Sequence, residues 1–145
     1  MLVRLTQNQF LLAALVGLVR QITASEKVQP DTFHGADRWG TDIEGACAEM
    51  AAASGLGIFW PALVDPGKVA SDLTGWEIRW TSRADGCLIV RPRDDPERRY
   101  LLVTGARGRY ELRGWIHGRE ARRDEWRRED GAWFVPQSAL EAVAA

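Results

Sequence analysis

Residues 72 to 81 read Asp72-Leu-Thr-Gly-Trp-Glu-Ile-Arg-Trp-Thr81. In an extended chain side chains alternate between faces, so Glu77, Arg79 and Thr81 point one way while Ile78 and Trp80 point the other. One face is charged and polar; the opposite face is bulky and apolar, as expected of a strand covered on one side. Gly75 permits a sharp bend ahead of the strand, which would bring Asp72 back beside Glu77. Two carboxylates meeting beside a cation are the parts needed to hold a divalent metal against a phosphodiester. The same triplet satisfies a simpler reading, in which opposite charges two residues apart are solvated on a strand face.

Working outward, Thr6 to Ile22 reads as a helix, with Phe10, Ala14, Leu18 and Ile22 four apart and Leu11, Leu15 and Val19 alongside. Its apolar arc is broad, which predicts burial. Thr23 to Gly40 contains Pro30, Gly35 and Gly40 and reads as a long loop, with Trp39 as the candidate for an exposed base-stacking side chain. Thr41-Asp-Ile-Glu44 reads as a capping box opening a second, Ala-rich helix that ends at Gly55 or Gly57. Glu49 stands in that otherwise uncharged stretch, either on a solvated face or pointed into a site.

Lys68 to Asp72 reads as a short strand closing a connector. A meander then follows: strands at Trp76–Ser82, Cys87–Arg91, Tyr100–Thr104 and Tyr110–His117, with turns at Asp85-Gly86, Asp94-Asp95-Pro96 and Gly105 to Gly108. Arg119 to Arg128 reads as a helix or helical turn, Trp133 to Val135 as a last strand, and Gln137 to Ala144 as a terminal helix. The expectation is one α+β domain over residues 1–145, with N-terminal helices packed on a mixed or antiparallel sheet.

A chain of 145 residues, 46% hydrophobic and 27% charged, is the size and composition of one globular core. Phe10 to Val19 is too short to span a membrane and lacks the features of a signal peptide, so a soluble cytoplasmic protein with no membrane partner is expected. Cys47 and Cys87, far apart and outside any CxxC, read as small core residues in a reducing compartment. The net charge of −1 is unevenly spread. Residues 79–128 hold 14 Arg against 8 Asp and Glu, whereas residues 1–78 hold 5 basic against 9 acidic residues. An Arg-rich half can supply phosphate contacts, with Arg122-Arg123 and Arg127-Arg128 as a candidate ridge, although the interspersed Glu120, Asp124, Glu125 and Glu129 also suit a solvated helix. A GC-rich coding bias, with 17 Arg against 2 Lys, accounts for the same count without any ligand. His34 and His117 are not at ligand spacing with any Cys or acidic residue and read as turn or surface residues.

The Asp72, variable gap, Glu77-x-Arg79 pattern resembles the PD-(D/E)XK nuclease superfamily, whose motif is Asp, a gap, then Glu-x-Lys. More of the chain is similar to small proteins of tailed phages and prophages that are suspected members of that superfamily. That likeness lies in Gly45-Ala-Cys-Ala-Glu49, Glu77-Ile-Arg79, Leu88-Ile-Val-Arg-Pro92, Leu102-Val-Thr-Gly105, Gly114-Trp-Ile116 and Phe134-Val-Pro-Gln137. The resemblance implies a restriction-endonuclease-like core and a phage-derived protein working in the host cytoplasm.

It also implies DNA as partner and Mg²⁺ or Mn²⁺ as cofactor, ligated by Asp72 and Glu77, with Glu49 on the preceding helix binding a second ion or orienting water. Thr81 would donate to phosphate, and a homodimer stays open. Arg79 departs from the family's Lys. A Lys can lose its proton beside a metal, but a guanidinium with a pKa above ~12 cannot act as a base. The catalytic set on this reading is Asp72, Glu77, Arg79 and Glu49. The alternative is an inert member of the fold that binds nucleic acid or a protein partner.

Overall fold

The computed structural model describes residues 1–26, 38–64 and 71–144, with the side chains of residues 24–26 and 38–39 left aside. His34 and most of the strand expected at Lys68–Asp72 lie outside those residues. In chain order the elements are β1 (Leu2–Arg4), α1 (Gln7–Glu26), α2 (Arg38–Leu56), β2 (Trp76–Thr81), β3 (Leu88–Val90), β4 (Arg99–Ala106), β5 (Arg109–His117) and β6 (Trp133–Val135). The class is α+β, with two helices on a mixed sheet.

The strands do not form the expected meander. The main sheet runs β1-β5-β4-β2, and β2 lies parallel to β4, with Glu77 opposite Tyr100 and Arg79 opposite Leu102. β3 leaves this sheet and pairs antiparallel with β6 in a second ribbon. The physical cause is burial on both sides of β4. Leu101 and Val103 face the helices, while Tyr100 and Leu102 face a second core built from Leu88, Val90, Ala121 and Val135. Val90 and Leu88 are wholly buried, so β3 serves as a lid on the far face rather than as a sheet neighbour.

The helices cover the other face. α1 opens on a reciprocal capping box: Gln9 Oε1 accepts the Thr6 N–H at 2.8 Å, and Thr6 Oγ1 accepts the Gln9 N–H at 3.2 Å. α1 and α2 approach closely at Gly17, where a Cβ would sit 2.5 Å from the Ile43 backbone. The Ala-rich stretch of α2 does what its small side chains suggest: Ala46, Ala48, Ala51 and Ala52 are fully buried. The broad arc of α1 is another matter. Ala13 and Val16 are buried, but Leu11, Leu12, Leu15, Val19 and Ile22 are exposed. The expectation of a largely buried first helix is therefore corrected: one side of α1 meets α2, and the other meets solvent.

The second helix also starts earlier than expected. α2 begins at Arg38, so Trp39 stands in its first turn rather than in a loop, and Glu44 is interior. The Glu44 carboxylate accepts the Arg107 N–H (3.1 and 3.2 Å) and the Tyr110 hydroxyl, tying α2 to the β4–β5 hairpin. That hairpin turns on Arg107 (φ 54°) and Gly108 (φ 79°), the paired positive φ of a type I′ turn. Cys47 lies beneath it, its thiol pushed by burial up to about 11.

The terminal helix expected at Gln137 to Ala144 is absent among the described residues, and of the helix or helical turn expected at Arg119 to Arg128 the structure has the turn. Asp124–Trp126 and Gln137–Ala139 are single 3₁₀ turns. Neither segment carries an apolar stripe long enough to reward a helix.

Candidate functional site

The bend that Gly75 allows is present. Leu73 and Trp76 exchange two backbone hydrogen bonds (3.1 and 2.9 Å), and Gly75 has φ +78° at the position where a type II turn requires it. The turn carries Asp72 back along β2, where its Oδ2 accepts the Ile78 N–H at 2.8 Å. Asp72 thus occupies the open edge of the sheet, satisfying a strand amide that has no neighbouring strand.

Glu77 and Arg79 share the far face of β2, as alternation dictates, and Ile78 is buried on the helix face. Glu77 is paired with Arg98 and lies 3.9 Å from Arg79. Burial raises the Glu77 pKa above its ordinary value, and the nearby Asp72 charge adds to the rise. Arg79 makes a wide set of contacts. Its Nε donates to the Ile89 carbonyl at 3.1 Å, another nitrogen pairs with Asp94 at 2.8 Å, and its guanidinium lies 4.9 Å from the centre of the Tyr100 ring.

Glu49 is on the opposite side. It is buried against α1, where Arg20 donates to both of its oxygens (2.6 and 2.8 Å) and Trp60 Nε1 donates at 3.1 Å. Burial raises its pKa, and Arg20 opposes that rise. The expected gathering of Glu49, Asp72 and Glu77 is accordingly replaced by two separate ion-paired sites, with Asp72 at the sheet edge near enough to act electrostatically on both. The reason lies in packing: α2 covers the Ile78 face, and a strand cannot send Glu77 to the face that holds Ile78.

Among the described residues no three His, Cys, Asp or Glu side chains are grouped closely enough to hold a metal ion. The donor chemistry agrees. Glu49 is saturated by Arg20 and Trp60, and Glu77 faces two guanidinium groups. This set does not fit a three-carboxylate Mg²⁺ centre, which needs free oxygens around the ion.

What the far face of β2 does hold is a cleft of about 380 Å³ lined by Arg79, Thr81, Arg83, Cys87, Arg91 and Phe134, among others. Arg91 has no ion pair among the described residues, and Arg83 pairs only with Asp85, both side chains being about three-quarters exposed. Such a surface pair contributes little and yields readily to a ligand. Arginines also lie over the aromatic rings of the C-terminal segment: Arg128 over Phe134 (5.6 Å), which lines the cleft, Arg127 over Trp133 (5.7 Å) and Arg123 over Trp126 (4.7 Å). Arg122, expected to form a ridge with Arg123, instead donates to the carbonyls of Pro92 and Asp94 and braces the turn that holds Arg79.

Arg83 and Arg91 escaped the sequence reading. A signal for Arg83 was present, since Arg79, Thr81 and Arg83 continue the period of two along one strand face. His117 sits edge-on to Trp115 at 5.3 Å, away from the cleft-lining residues. The Trp39 side chain lies outside the described residues. Comparison with protein-family models, with curated proteins and with solved structures returns no match.

Proposed function

We propose that the protein binds DNA through the arginine cleft of β2 and the adjoining arginine–aromatic strip, as a non-hydrolytic, phage-derived member of the restriction-endonuclease-like class. The observation that carries this reading is the convergence of Arg83 and Arg91 on one cleft walled by Arg79, while Glu77 on the same face is already neutralised by Arg98. A phosphate oxygen entering there meets the Arg91 guanidinium and competes with the exposed Asp85 carboxylate for Arg83. The neighbouring rings of Phe134, Trp133 and Trp126 hold arginine guanidinium planes over them, and those planes are surfaces on which a base can stack. The finer fold assignment draws on the Asp72 to Glu77-x-Arg79 spacing and on α2 packing against β2. Asp72 on a turn and β3 outside the main sheet are its departures from the family order.

The test is anisotropy of a labelled DNA oligonucleotide, single- and double-stranded, across a salt series in EDTA. The expected result is metal-independent binding whose log affinity falls linearly with log salt. Arg83→Gln, Arg91→Gln and Arg128→Gln should each lower that slope by about one phosphate contact. No binding at low salt overturns the proposal.

A second reading, Mg²⁺- or Mn²⁺-dependent DNA hydrolysis, rests on the turn that brings Asp72 back along β2, where it accepts the Ile78 N–H one residue from Glu77. It would appear as divalent-dependent cleavage that Glu77→Ala eliminates and Arg79→Lys maintains or increases.

A further inference from the structure

Remote from the cleft, the exposed side of α1 presents Leu11, Leu12, Leu15, Val19 and Ile22, between 43% and 59% exposed. These positions follow helical spacing, so they form one stripe. Beside the stripe, Phe59 is 83% exposed, the most exposed large apolar side chain among the described residues. A groove of about 510 Å³ opens there, with Phe59 standing at its wall beside Leu12, Met50, Ile58, Trp60 and Pro61. Leu12 belongs to both stripe and groove, so stripe, groove and Phe59 are continuous.

We infer that this face is the interface of a symmetric homodimer, in which Phe59 of each copy enters the groove of the other. Three features favour a second copy over other occupants. Knob and hole lie on one surface, which is what a two-fold interface requires, because each copy must be donor and acceptor at once. Charge offers no handle for a charged partner: within Gln7–Glu26 the ionisable residues are Arg20 and Glu26, and Arg20 is engaged with Glu49 inside the molecule. Area is the third feature. Five half-exposed aliphatic side chains and Phe59 leave roughly 550 Å² of apolar surface uncovered. Two copies would bury about 1,100 Å², above the roughly 1,000 Å² floor of biological interfaces but under the range of stable ones, which points to a weak, reversible dimer.

Sedimentation velocity over a concentration series from low micromolar to several hundred micromolar reads the outcome. The mass is expected to climb from 16.2 kDa toward twice that value. Leu15→Glu and Phe59→Ser change side chains that are 50% and 83% exposed, so both variants should stay folded, with a thermal transition close to that of wild type at low micromolar concentration. Each should weaken association at least tenfold. In a Cys87→Ser background, Leu15→Cys should form an intermolecular disulfide under mild oxidation, whereas a cysteine introduced at exposed Glu125 should not. A mass that stays at 16.2 kDa throughout overturns the proposal. A dimer that both substitutions leave intact also overturns it, as does equal cross-linking at the two cysteine positions.

Discussion

Replacing Arg20 by Met should destabilise the protein by about 3 kcal/mol at neutral pH, because it leaves the Glu49 carboxylate buried without its cation. Arg20 supplies both strong donors to Glu49, at 2.6 and 2.8 Å, and ties α1 to the Leu63 carbonyl at 2.8 Å. Breaking a buried pair from one side costs roughly 3–5 kcal/mol; the one-fifth exposure of Arg20 places this pair at the low end. Among the described residues Trp60 Nε1 remains as the other donor to the carboxylate, so Glu49 stays partly solvated by protein. For a chain of this length, 3 kcal/mol corresponds to a Tm lower by about 6–12 °C.

The loss should depend on pH in a stated direction. The folded-state pKa of Glu49 is already above 4.5, and removing Arg20 raises it further. The deficit is therefore full above the raised pKa and fades as pH falls through it, and well below 4.5 the carboxyl is protonated in both folded and unfolded chains. Urea unfolding at several pH values, with constant m, gives the numbers. Arg20→Met combined with Glu49→Leu should recover most of the loss, since replacing both partners by apolar groups removes the stranded charge. A loss below about 1 kcal/mol at neutral pH would refute the argument. Rescue of Arg20→Met by millimolar Mg²⁺ would refute it differently, by showing that Glu49 accepts a metal.

Thr6→Ala should cost about 1 kcal/mol through loss of the α1 cap, measurable as a lower urea midpoint, and Gln9→Ala should add little to it because the two residues form one reciprocal unit. Glu77, whose pKa burial raises, contributes stability that is fully present below 4.5 and lost as pH rises through its folded pKa. Wild type should therefore gain stability on mild acidification, and Glu77→Gln should flatten that part of the profile. Cys47, buried with its thiol near 11, should resist alkylation until the protein unfolds, while half-buried Cys87 in the cleft should react and be protected by bound DNA; mass spectrometry separates the two sites.

The parts of this fold that could be read from sequence are those governed by short-range alternation and turn chemistry. The strand at 76–81, the Gly75 bend, the hairpin at Gly105 to Gly108 and the short strand at 133–135 all belong to that class. The parts that could not be read depend on partners distant along the chain. Thr41 to Glu44 has the residue pattern of a capping box, yet Glu44 is spent on Tyr110 and on the Arg107 amide, more than sixty residues away. No local pattern distinguishes those two uses of one carboxylate. Likewise the apolar residues at 88–90 read as a strand, but nothing in their periodicity says that they pair with 133–135 rather than with the main sheet.

The same division explains the site. Alternation placed Glu77, Arg79 and Thr81 on one face correctly, but the side from which Glu49 approaches is a matter of which face α2 covers. Arg79 then acquires a meaning that its departure from Glu-x-Lys did not suggest. Its guanidinium joins β2 to the Ile89 carbonyl of β3, reaches Asp94 and stacks over Tyr100. Three contacts in three directions need a planar fork; an ammonium on a flexible stem satisfies at most one or two of them. The arginine at this position is thus accounted for by the β3 lid it holds down, a task independent of phosphate chemistry. Because that lid also forms a wall of the cleft, Arg79 shapes the site even with much of its own charge committed to Asp94. The cations left to meet a polyanion are then Arg83 and Arg91, together with the exposed arginines of the C-terminal strip.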